Sequence, residues 1–258
     1  MNTKPEIESP LAYSKSDDKV IEINNLKKGF GDLPVLVDVS LQLFNGENLV
    51  VLGKSGSGKS VLIKCIVQLL MPDSGTIKIF NDDVSVLNKK KLNELRTKIG
   101  FLFQSGALYD SMTVRENLDF PLVRIKKQLT KKQRDEKIEE VLEQVGLADS
   151  INKMPSELSG GMRKRISLAR TLVSDPMIML YDEPTTGLDP VTSDEISLLM
   201  NKVQETYKTS SIIITHDIEC VRATADRIIM LHKGEVYMEG TLDEFENSDD
   251  TLIQSFFK

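Results

Sequence analysis

One stretch of eight residues has the side chains and spacing of a phosphate-binding loop. It fits the pattern G-x-x-x-x-G-K-[ST] and consists of Gly53, Lys54, Ser55, Gly56, Ser57, Gly58, Lys59 and Ser60. Glycine adopts positive φ at little cost, which lets successive backbone N–H groups point at one phosphate. In such loops the lysine, here Lys59, reaches the outer phosphates, and the last hydroxyl, here Ser60, binds Mg²⁺. The stretch predicts a site for a nucleoside triphosphate with magnesium. A glycine-rich turn without a ligand is the alternative.

The residues on either side of this loop favour the phosphate site. The apolar run at 49–52 predicts a buried strand before the loop, and the apolar residues of 61–67 predict a helix after it. A strand, a loop and a helix in that order are the context that the motif requires. The N-terminus of the predicted helix adds free N–H groups and the positive end of its dipole.

A second apolar run, at 178–181, ends in the acidic pair Asp182 and Glu183. Open α/β sheets bind ligands at the carboxyl ends of their strands, so Asp182 is placed to hold Mg²⁺ beside Ser60. Glu183 is then placed to accept a proton from a water that attacks the γ-phosphate. An acidic pair that only caps the following turn is the alternative, and the pair alone does not decide between them.

A third motif, Leu158-Ser159-Gly160-Gly161-Met162, opens a predicted helix that continues to Leu172. Its serine and glycines form another helix N-terminus able to bind an anion. One pocket does not need two phosphate loops. We therefore expect Ser159, Gly160 and Gly161 to face the γ-phosphate held by a second copy of the chain.

The elements around these motifs predict an α/β fold. Strand patterns alternate with helix patterns, which is typical of a largely parallel sheet, and the residues before the phosphate loop predict a small antiparallel sheet packed onto it. In that part residues 27–32 predict a turn, and Asn45-Gly46 predicts a hairpin into the strand before the loop. Residues 1–18 are expected to be a flexible lead, and residues 19–258 one domain.

Composition limits the class of protein. The 258 residues carry a net charge of −6, which argues against sequence-independent nucleic-acid binding. Cys65 and Cys220 fit no metal-ligand spacing and are expected to be reduced residues of the core or near the surface. There is no secretory signal pattern and no run of 18 apolar residues, so we expect a cytoplasmic protein that reaches a membrane only through a partner.

The three motifs are accompanied by Gln104, Gly187-Leu188-Asp189 and His216. This set resembles the nucleotide-binding subunit of an ABC transporter. The motifs occur in the family's order, and the resemblance covers residues 20–257. The resemblance implies a RecA-like P-loop NTPase fold with a helical ABC subdomain at about 105–165. It also implies a head-to-tail homodimer that holds two ATP molecules with Mg²⁺ and hydrolyses them. One departure is Met162, where the family more often has glutamine; it removes no phosphate-binding group.

The resemblance also implies roles for single residues. Gln104 would contact Mg²⁺ and the attacking water and sense the membrane partner, His216 would contact the γ-phosphate, and Asp189 would lie at the dimer seam. Phe30 would stack on adenine. The alternatives are that Phe30 is a core residue near a turn, that Gln104 is a strand cap, and that His216 is structural.

A narrower resemblance begins after Gln104. Residues 103–114, Glu116-Asn117, Pro121-Leu122 and 158–165 are similar to the MlaF/MCE-associated branch. That branch implies lipid transport, an integral MlaE-like permease, an MCE-domain protein, and a place on the cytoplasmic face of the inner membrane. Whether a small regulatory subunit binds residues 114–158 stays open. Phe256 and Phe257 are expected to pack on their own domain, the alternative being a neighbouring chain.

Two other functions stay open. An ATPase for lipoprotein release or small-molecule import would share every ATP motif and differ in the segment after Gln104. A soluble ABC ATPase of DNA repair or of the ribosome is the third class. Such proteins usually carry two cassettes or long insertions, and neither pattern occurs in this sequence.

Overall fold

The computed structural model describes residues 18–257. The flexible lead predicted for residues 1–18 therefore lies, apart from Asp18, outside the described residues. Within them the strands are β1 Lys19–Phe30, β2 Leu33–Phe44, β3 Asn48–Leu52, β4 Ser74–Ile79, β5 Asp82–Asp83, β6 Ile99–Leu102, β7 Ile178–Asp182, β8 Ser210–Thr215, β9 Arg227–His232 and β10 Glu235–Gly240. They form one sheet in the order β5-β4-β1-β2-β10-β9-β3-β8-β7-β6.

The sheet has a parallel half and an antiparallel half. Strands β9, β3, β8, β7 and β6 are parallel neighbours. Strands β2, β1, β4 and β5 are antiparallel neighbours. Every residue of β3, β7 and β8 is buried, as expected for central parallel strands that are covered on both faces. The predicted α/β fold, with a mostly parallel core sheet and an N-terminal antiparallel part, is confirmed.

The prediction of a hairpin at Asn45-Gly46 was wrong. Strands β2 and β3 are not neighbours, because β3 lies between β9 and β8. Gly46 does adopt positive φ, at 74°, and its N–H donates to Ser210 Oγ at 2.9 Å. The turn carries the chain from one half of the sheet to the other, because β3, buried along its whole length, needs a partner strand on each edge.

The turn predicted for residues 27–32 was too long. Strand β1 continues to Phe30, which pairs with Leu33, and the connection is Gly31 and Asp32. Gly31 has φ 59°, and positive φ is what a two-residue hairpin turn requires. Shifts of register along β1 break the alternation of buried and exposed side chains that would have revealed the strand.

The helices are α1 Lys59–Ile66, α2 Lys89–Arg96, α3 Val114–Ile125, α4 Lys131–Gln144, α5 Gly160–Leu172, α6 Pro190–Tyr207, α7 Ile218–Thr224, α8 Leu242–Glu246 and α9 Thr251–Phe257. Capping boxes start α3 at Thr113 and Glu116, and α4 at Thr130 and Gln133. Two apolar clusters pack around the sheet, and the buried faces of α3, α4 and α5 belong to the same cluster as Leu52 of β3. The limits of the helical subdomain, about 105–165, stay a prediction.

Two smaller predictions are confirmed. Cys65 and Cys220 are free, and of the two expected places, core or near the surface, both occupy the core; burial raises the pKa of each thiol to about 11. Phe256 and Phe257 of α9 pack against the core cluster of their own chain. In the part of the chain that the structure describes, no helix combines the length and hydropathy needed to cross a membrane.

Candidate functional site

The phosphate loop connects the buried strand β3 to the first helix, as predicted. Gly56 and Gly58 have φ of 82° and 103°, values that favour glycine. At Gly58 there is also no room for a side chain, because a Cβ would lie 2.8 Å from Leu36 Cδ2 and 3.0 Å from Val35 O. The start of β2 therefore packs directly against this loop.

Lys59 lies inside the loop and is buried. Its Nζ donates to the carbonyl oxygens of Gly53, at 2.6 Å, and Lys54, at 3.2 Å. The same Nζ lies 3.3 Å from Glu183 Oε1. Within residues 18–257, the buried Ser57 Oγ has no hydrogen-bond partner. A buried ammonium and an unsatisfied hydroxyl in one glycine-rich loop suit the binding of an anion such as a phosphate.

Ser60 and Asp182 meet across the gap between α1 and β7. Ser60 Oγ donates to Asp182 Oδ1 at 2.9 Å. Burial raises the pKa of the Asp182 carboxyl, and the hydrogen bond from Ser60 opposes that shift. Among residues 18–257, no three His, Cys, Asp or Glu side chains cluster as a metal-ligand set. Mg²⁺ needs only one or two protein oxygens when phosphate and water supply the rest, so Ser60 and Asp182 fit it.

Glu183 is the most connected carboxylate of the site. Its Oε2 lies 2.8 Å from His216 Nδ1 and accepts from Thr186 Oγ1 at 3.2 Å, while Oε1 faces Lys59. The residue has φ 49°, a left-handed conformation that is uncommon for glutamate and is often found at functional sites. These contacts orient a buried carboxylate beside the predicted phosphate position, as a general base requires.

The fold explains why residues far apart in sequence meet here. Gln104 follows β6, the acidic pair ends β7, His216 follows β8, and the phosphate loop follows β3. These four strands are parallel neighbours, so their carboxyl ends share one edge of the sheet. Gln104 is exposed at this edge.

Ser159, Gly160 and Gly161 lie at the start of α5, as predicted. Ser159 Oγ accepts from Met162 N at 3.2 Å and caps the helix. A Cβ at Gly161 would lie 2.5 Å from Thr192 Cγ2, so this glycine permits close packing on α6. In residues 18–257, no hydrogen bond or ion pair joins Ser159 to the phosphate loop of the same chain.

Two further predicted residues lie at the surface. Asp189 caps α6, because its carboxylate accepts from Thr192 N at 3.1 Å and from Thr192 Oγ1 at 2.6 Å. Phe30 is 49% exposed at the tip of the β1–β2 hairpin, with Lys28 Nζ 5.5 Å from the centre of its ring. That exposure argues against the interpretation of Phe30 as a core residue. The stacking of Phe30 on adenine and the place of Asp189 at the dimer seam stay predictions.

Two contacts of the site were missed by sequence reasoning. Lys164 of α5 is buried, and its Nζ donates to Gln104 O at 2.6 Å and Glu183 O at 3.3 Å. The sequence did contain a signal for this contact: Lys164 lies four positions before Leu168, so a charged residue occupies the apolar face of a predicted helix. Phe256 of α9 lies with its ring centre 5.7 Å from Lys54 Nζ. Nothing in the local sequence pattern indicates that contact.

Comparison with known proteins finds one matching family model and many similar ATP-binding proteins. A family model described as "ABC transporter" matches residues 36–186. The chain is 41% identical over 239 residues to the probable ribonucleotide transport ATP-binding protein mkl of Mycobacterium tuberculosis, covering 92% of this chain and 66%, just under two thirds, of that relative. It is 36% identical to protein TRIGALACTOSYLDIACYLGLYCEROL 3, chloroplastic, of Arabidopsis thaliana, covering 93% and 73%. It is 37% identical to the methionine import ATP-binding protein MetN 2 of Bacillus anthracis, covering 93% and 71%.

Solved structures show the same fold. The dimeric post-hydrolysis state of the ATP-binding cassette MJ0796, bound to ADP and Pi, matches with a TM-score of 0.79 and 34% identity, covering 86% of this chain and 98% of that one. The cbiO1 protein of Clostridium perfringens, described as part of the cbiONQ complex, matches with a TM-score of 0.81 and 29% identity, covering 88% and 90%.

Proposed function

The chain belongs to the ABC transporter family, and from that membership we propose that it is the ATP-binding and ATP-hydrolysing subunit that energises a separate membrane permease. One observation carries the proposal. Glu183 lies in contact with both Lys59 of the phosphate loop and His216, next to the Ser60–Asp182 hydrogen bond. A phosphate-binding lysine, a Mg²⁺-binding pair and an oriented base in one place are the parts needed for hydrolysis of a γ-phosphate.

The geometry supports a sequence of steps within one chain. ATP phosphates would replace the carbonyls of Gly53 and Lys54, and the carboxylate of Glu183, as partners of the Lys59 ammonium. That exchange frees Glu183 Oε1, while His216 and Thr186 still hold Oε2. Glu183 then accepts a proton from the attacking water. Mg²⁺, bound through Ser60 and Asp182, would neutralise charge on the phosphates.

We propose that the site is completed by a second copy, with Ser159, Gly160 and Gly161 facing the partner's γ-phosphate and Asp189 at the seam. Support comes from the placement of Ser159 on the surface, capping its own helix and free of the phosphate loop in its own chain. ATP would then favour the closed dimer, because only the dimer contacts it from both sides. Closing and opening would drive the permease.

A complementation experiment tests the composite site. Lys59→Ala removes the phosphate-binding ammonium, and Ser159→Arg blocks the loop that would face the partner's nucleotide. Each variant alone should lose ATP turnover. A mixture should regain it, because one site of the mixed dimer joins the intact Lys59 of one copy to the intact Ser159 of the other. A mixture as inactive as its components would contradict the head-to-tail arrangement.

We further propose that the permease is MlaE-like, works with an MCE-domain protein at the cytoplasmic face of the inner membrane, and moves phospholipid. The residues after Gln104 carry this proposal, and the relative from Arabidopsis thaliana, which is named for the lipid trigalactosyldiacylglycerol, supports it. Import of a small molecule is the second candidate, since other relatives are named for ribonucleotide transport and methionine import.

Purification of the tagged full chain from membranes tests these alternatives. Recovery of an integral permease and an MCE-domain protein supports the lipid proposal. Proteoliposomes with that complex and ATP should then move labelled phospholipid, whereas movement of labelled methionine or ribonucleotide would favour small-molecule import. Recovery with ribosomes or DNA in place of a permease would contradict transport altogether.

A further inference from the structure

Lys164 is a buried lysine that joins two parts of the site. It lies one turn into α5, is 7% exposed, and donates from Nζ to Gln104 O at 2.6 Å and Glu183 O at 3.3 Å. Those two carbonyls follow neighbouring strands, β6 and β7. One ammonium therefore fixes the backbone at the predicted base and at the residue expected to contact the water.

The same face of α5 holds the segment that follows Gln104. A Cβ at Gly106 would lie 2.5 Å from Ser167 Oγ, and Arg170 Nη1 donates to Ala107 O at 2.7 Å. Ser167 and Arg170 follow Lys164 at intervals of three, which places all three on one side of the helix. Because α5 contacts this segment at three successive points, a shift of the helix would be transmitted to Gln104.

The charge of Lys164 suits its position. Burial lowers the pKa of its ammonium, and the carboxylates of Asp182 and Glu183 oppose that shift. A charge-assisted hydrogen bond is stronger than a neutral one, so an ammonium is an effective restraint on a carbonyl. Glu183 needs such a restraint because its backbone has φ 49°, a conformation of higher energy for a residue with a side chain.

We propose that Lys164 is a positioning residue for ATP hydrolysis, which couples the N-terminus of α5 to the backbones of Glu183 and Gln104. The inference rests on the proposed function, in which Ser159 at the start of α5 faces the partner's nucleotide. Arrival of the partner's γ-phosphate would order the first turn of α5. Lys164, which follows that turn directly, would transmit the change to Glu183, the base of its own site. The two ATP sites of the dimer are then linked through this lysine.

The variant Lys164→Met keeps the length of the side chain and removes its donors. We expect the kcat of the full chain to fall roughly tenfold or more, as for loss of a charge-assisted hydrogen bond, while KM for ATP and the affinity for a fluorescent ATP analogue stay within about twofold. Hydrogen exchange should rise in peptides containing Gln104 and Glu183. A role in folding alone would not separate kcat from affinity in this way.

Two other variants sharpen the test. Lys164→Arg should recover most of the kcat, because a cavity of about 180 Å³ lined by Gln104, Lys164 and Leu188 has room for a guanidinium. Lys137→Met is the matched control. It removes a half-buried lysine that pairs with Asp175 at 2.9 Å, outside the site, and should leave kcat unchanged.

The outcomes separate this inference from the proposed function. Wild-type kcat in folded Lys164→Met would overturn the inference and leave the proposed function intact. Wild-type protein without ATPase activity would overturn both. If Lys164→Met does not fold, Lys164→Gln replaces it, because its neutral amide ends one bond short of the Lys164 ammonium and cannot make the charge-assisted hydrogen bonds. Wild-type kcat and unchanged hydrogen exchange at Gln104 in that variant would equally overturn the inference.

Discussion

At the scale of single residues, the site balances opposite charges in a buried place. Lys59 and Glu183 are 5% and 8% exposed, and their charged groups lie 3.3 Å apart. Removing one member of a buried pair leaves the other without compensation. A bound phosphate therefore has to replace Glu183 as the partner of Lys59. For this reason, substitution of either residue should change the affinity for nucleotide directly.

The variant Lys59→Ala should bind ATP roughly tenfold to a hundredfold more weakly, because it deletes a charge-assisted contact to the outer phosphates. Titration calorimetry with ATP and Mg²⁺ measures the affinity. The exposed Lys78 on β4 provides the control, and Lys78→Ala should bind like wild type. Equal affinity in Lys59→Ala and Lys78→Ala would contradict the role of Lys59.

Asp182 gives a prediction on stability and pH. Burial raises the pKa of its carboxyl above the ordinary value of 3.8. The folded state therefore binds this proton more tightly than the unfolded state. The contribution of Asp182 to folding is greatest below its unfolded pKa and is lost as the pH rises through the folded pKa.

Accordingly, Asp182→Asn without nucleotide should have a higher Tm than wild type near neutral pH, and the difference should shrink as the pH is lowered toward about 4. Thermal unfolding across that range provides the measurement. The same variant should lose Mg²⁺-dependent ATP turnover. A lower Tm for Asp182→Asn at neutral pH would show that pairing with cations outweighs the burial of the carboxylate.

At the scale of elements, one amide organises the loop before α3. Asn117 is fully buried, and its Nδ2 donates to the carbonyls of Tyr109, Met112 and Thr113 at 3.0–3.1 Å. Its Oδ1 accepts from Tyr109 N at 2.8 Å. A single side chain thus adds hydrogen bonds to a loop whose own backbone bonds include those from Met112 N to Tyr109 O and from Asn117 N to Thr113 O. Tyr109 is held 43% exposed, with its ring packed against Phe120 at a centroid distance of 4.8 Å.

The variant Asn117→Ala should lower the free energy of unfolding by about 2–4 kcal/mol, because Met112 O loses its donor from this amide, Tyr109 N loses its acceptor, and a fully buried side chain is truncated. Urea unfolding measures the loss, and faster hydrogen exchange in residues 109–113 locates it. Asn93→Ala, at an exposed position of α2, is the control, with a change within about 0.5 kcal/mol. A cost as small as that of Asn93→Ala would mean that the apolar packing of α3 alone holds the loop.

At the scale of the whole molecule, the two halves of the sheet meet at a narrow joint. The ladder between β2 and β10 consists of the pair Glu235 and Asp38 within the described residues. The buried Arg227 of β9 lies beside this joint. Its Nε and Nη2 donate to the Glu47 carboxylate at 2.7 and 3.0 Å. Its Nη2 also donates to Gln42 O at 2.6 Å, and the guanidinium forms an ion pair with Glu239. Side-chain contacts therefore reinforce a joint that has little backbone pairing.

The variant Arg227→Met should cost about 3–5 kcal/mol of unfolding free energy, because Glu47, 1% exposed, would be left charged and unpaired. Combining it with Glu47→Gln should recover part of that cost. Urea unfolding of both variants and wild type makes the comparison. A double variant no more stable than Arg227→Met would contradict the view that an unpaired Glu47 carboxylate dominates the cost.

The sequence by itself determined the parts of the site that lie within contiguous segments. The phosphate loop, the strand-end pair Asp182-Glu183 and the cap at Ser159 were predicted because glycine spacing, apolar runs and capping residues act over a few neighbouring positions. The elements that carry them followed from the same local patterns, and the α/β fold followed from their alternation.

Only the tertiary structure decided which of these parts touch. Strand β3 lies between β9 and β8 and does not pair with β2, although Asn45-Gly46 has the sequence of a hairpin turn. The contact of Lys164 with Gln104 joins residues 60 positions apart, and that of Glu183 with His216 joins residues 33 apart. Such contacts depend on the order of strands and the packing of α5 on the sheet. Strand order is set by the burial of whole faces at once, and no local pattern of residues encodes it.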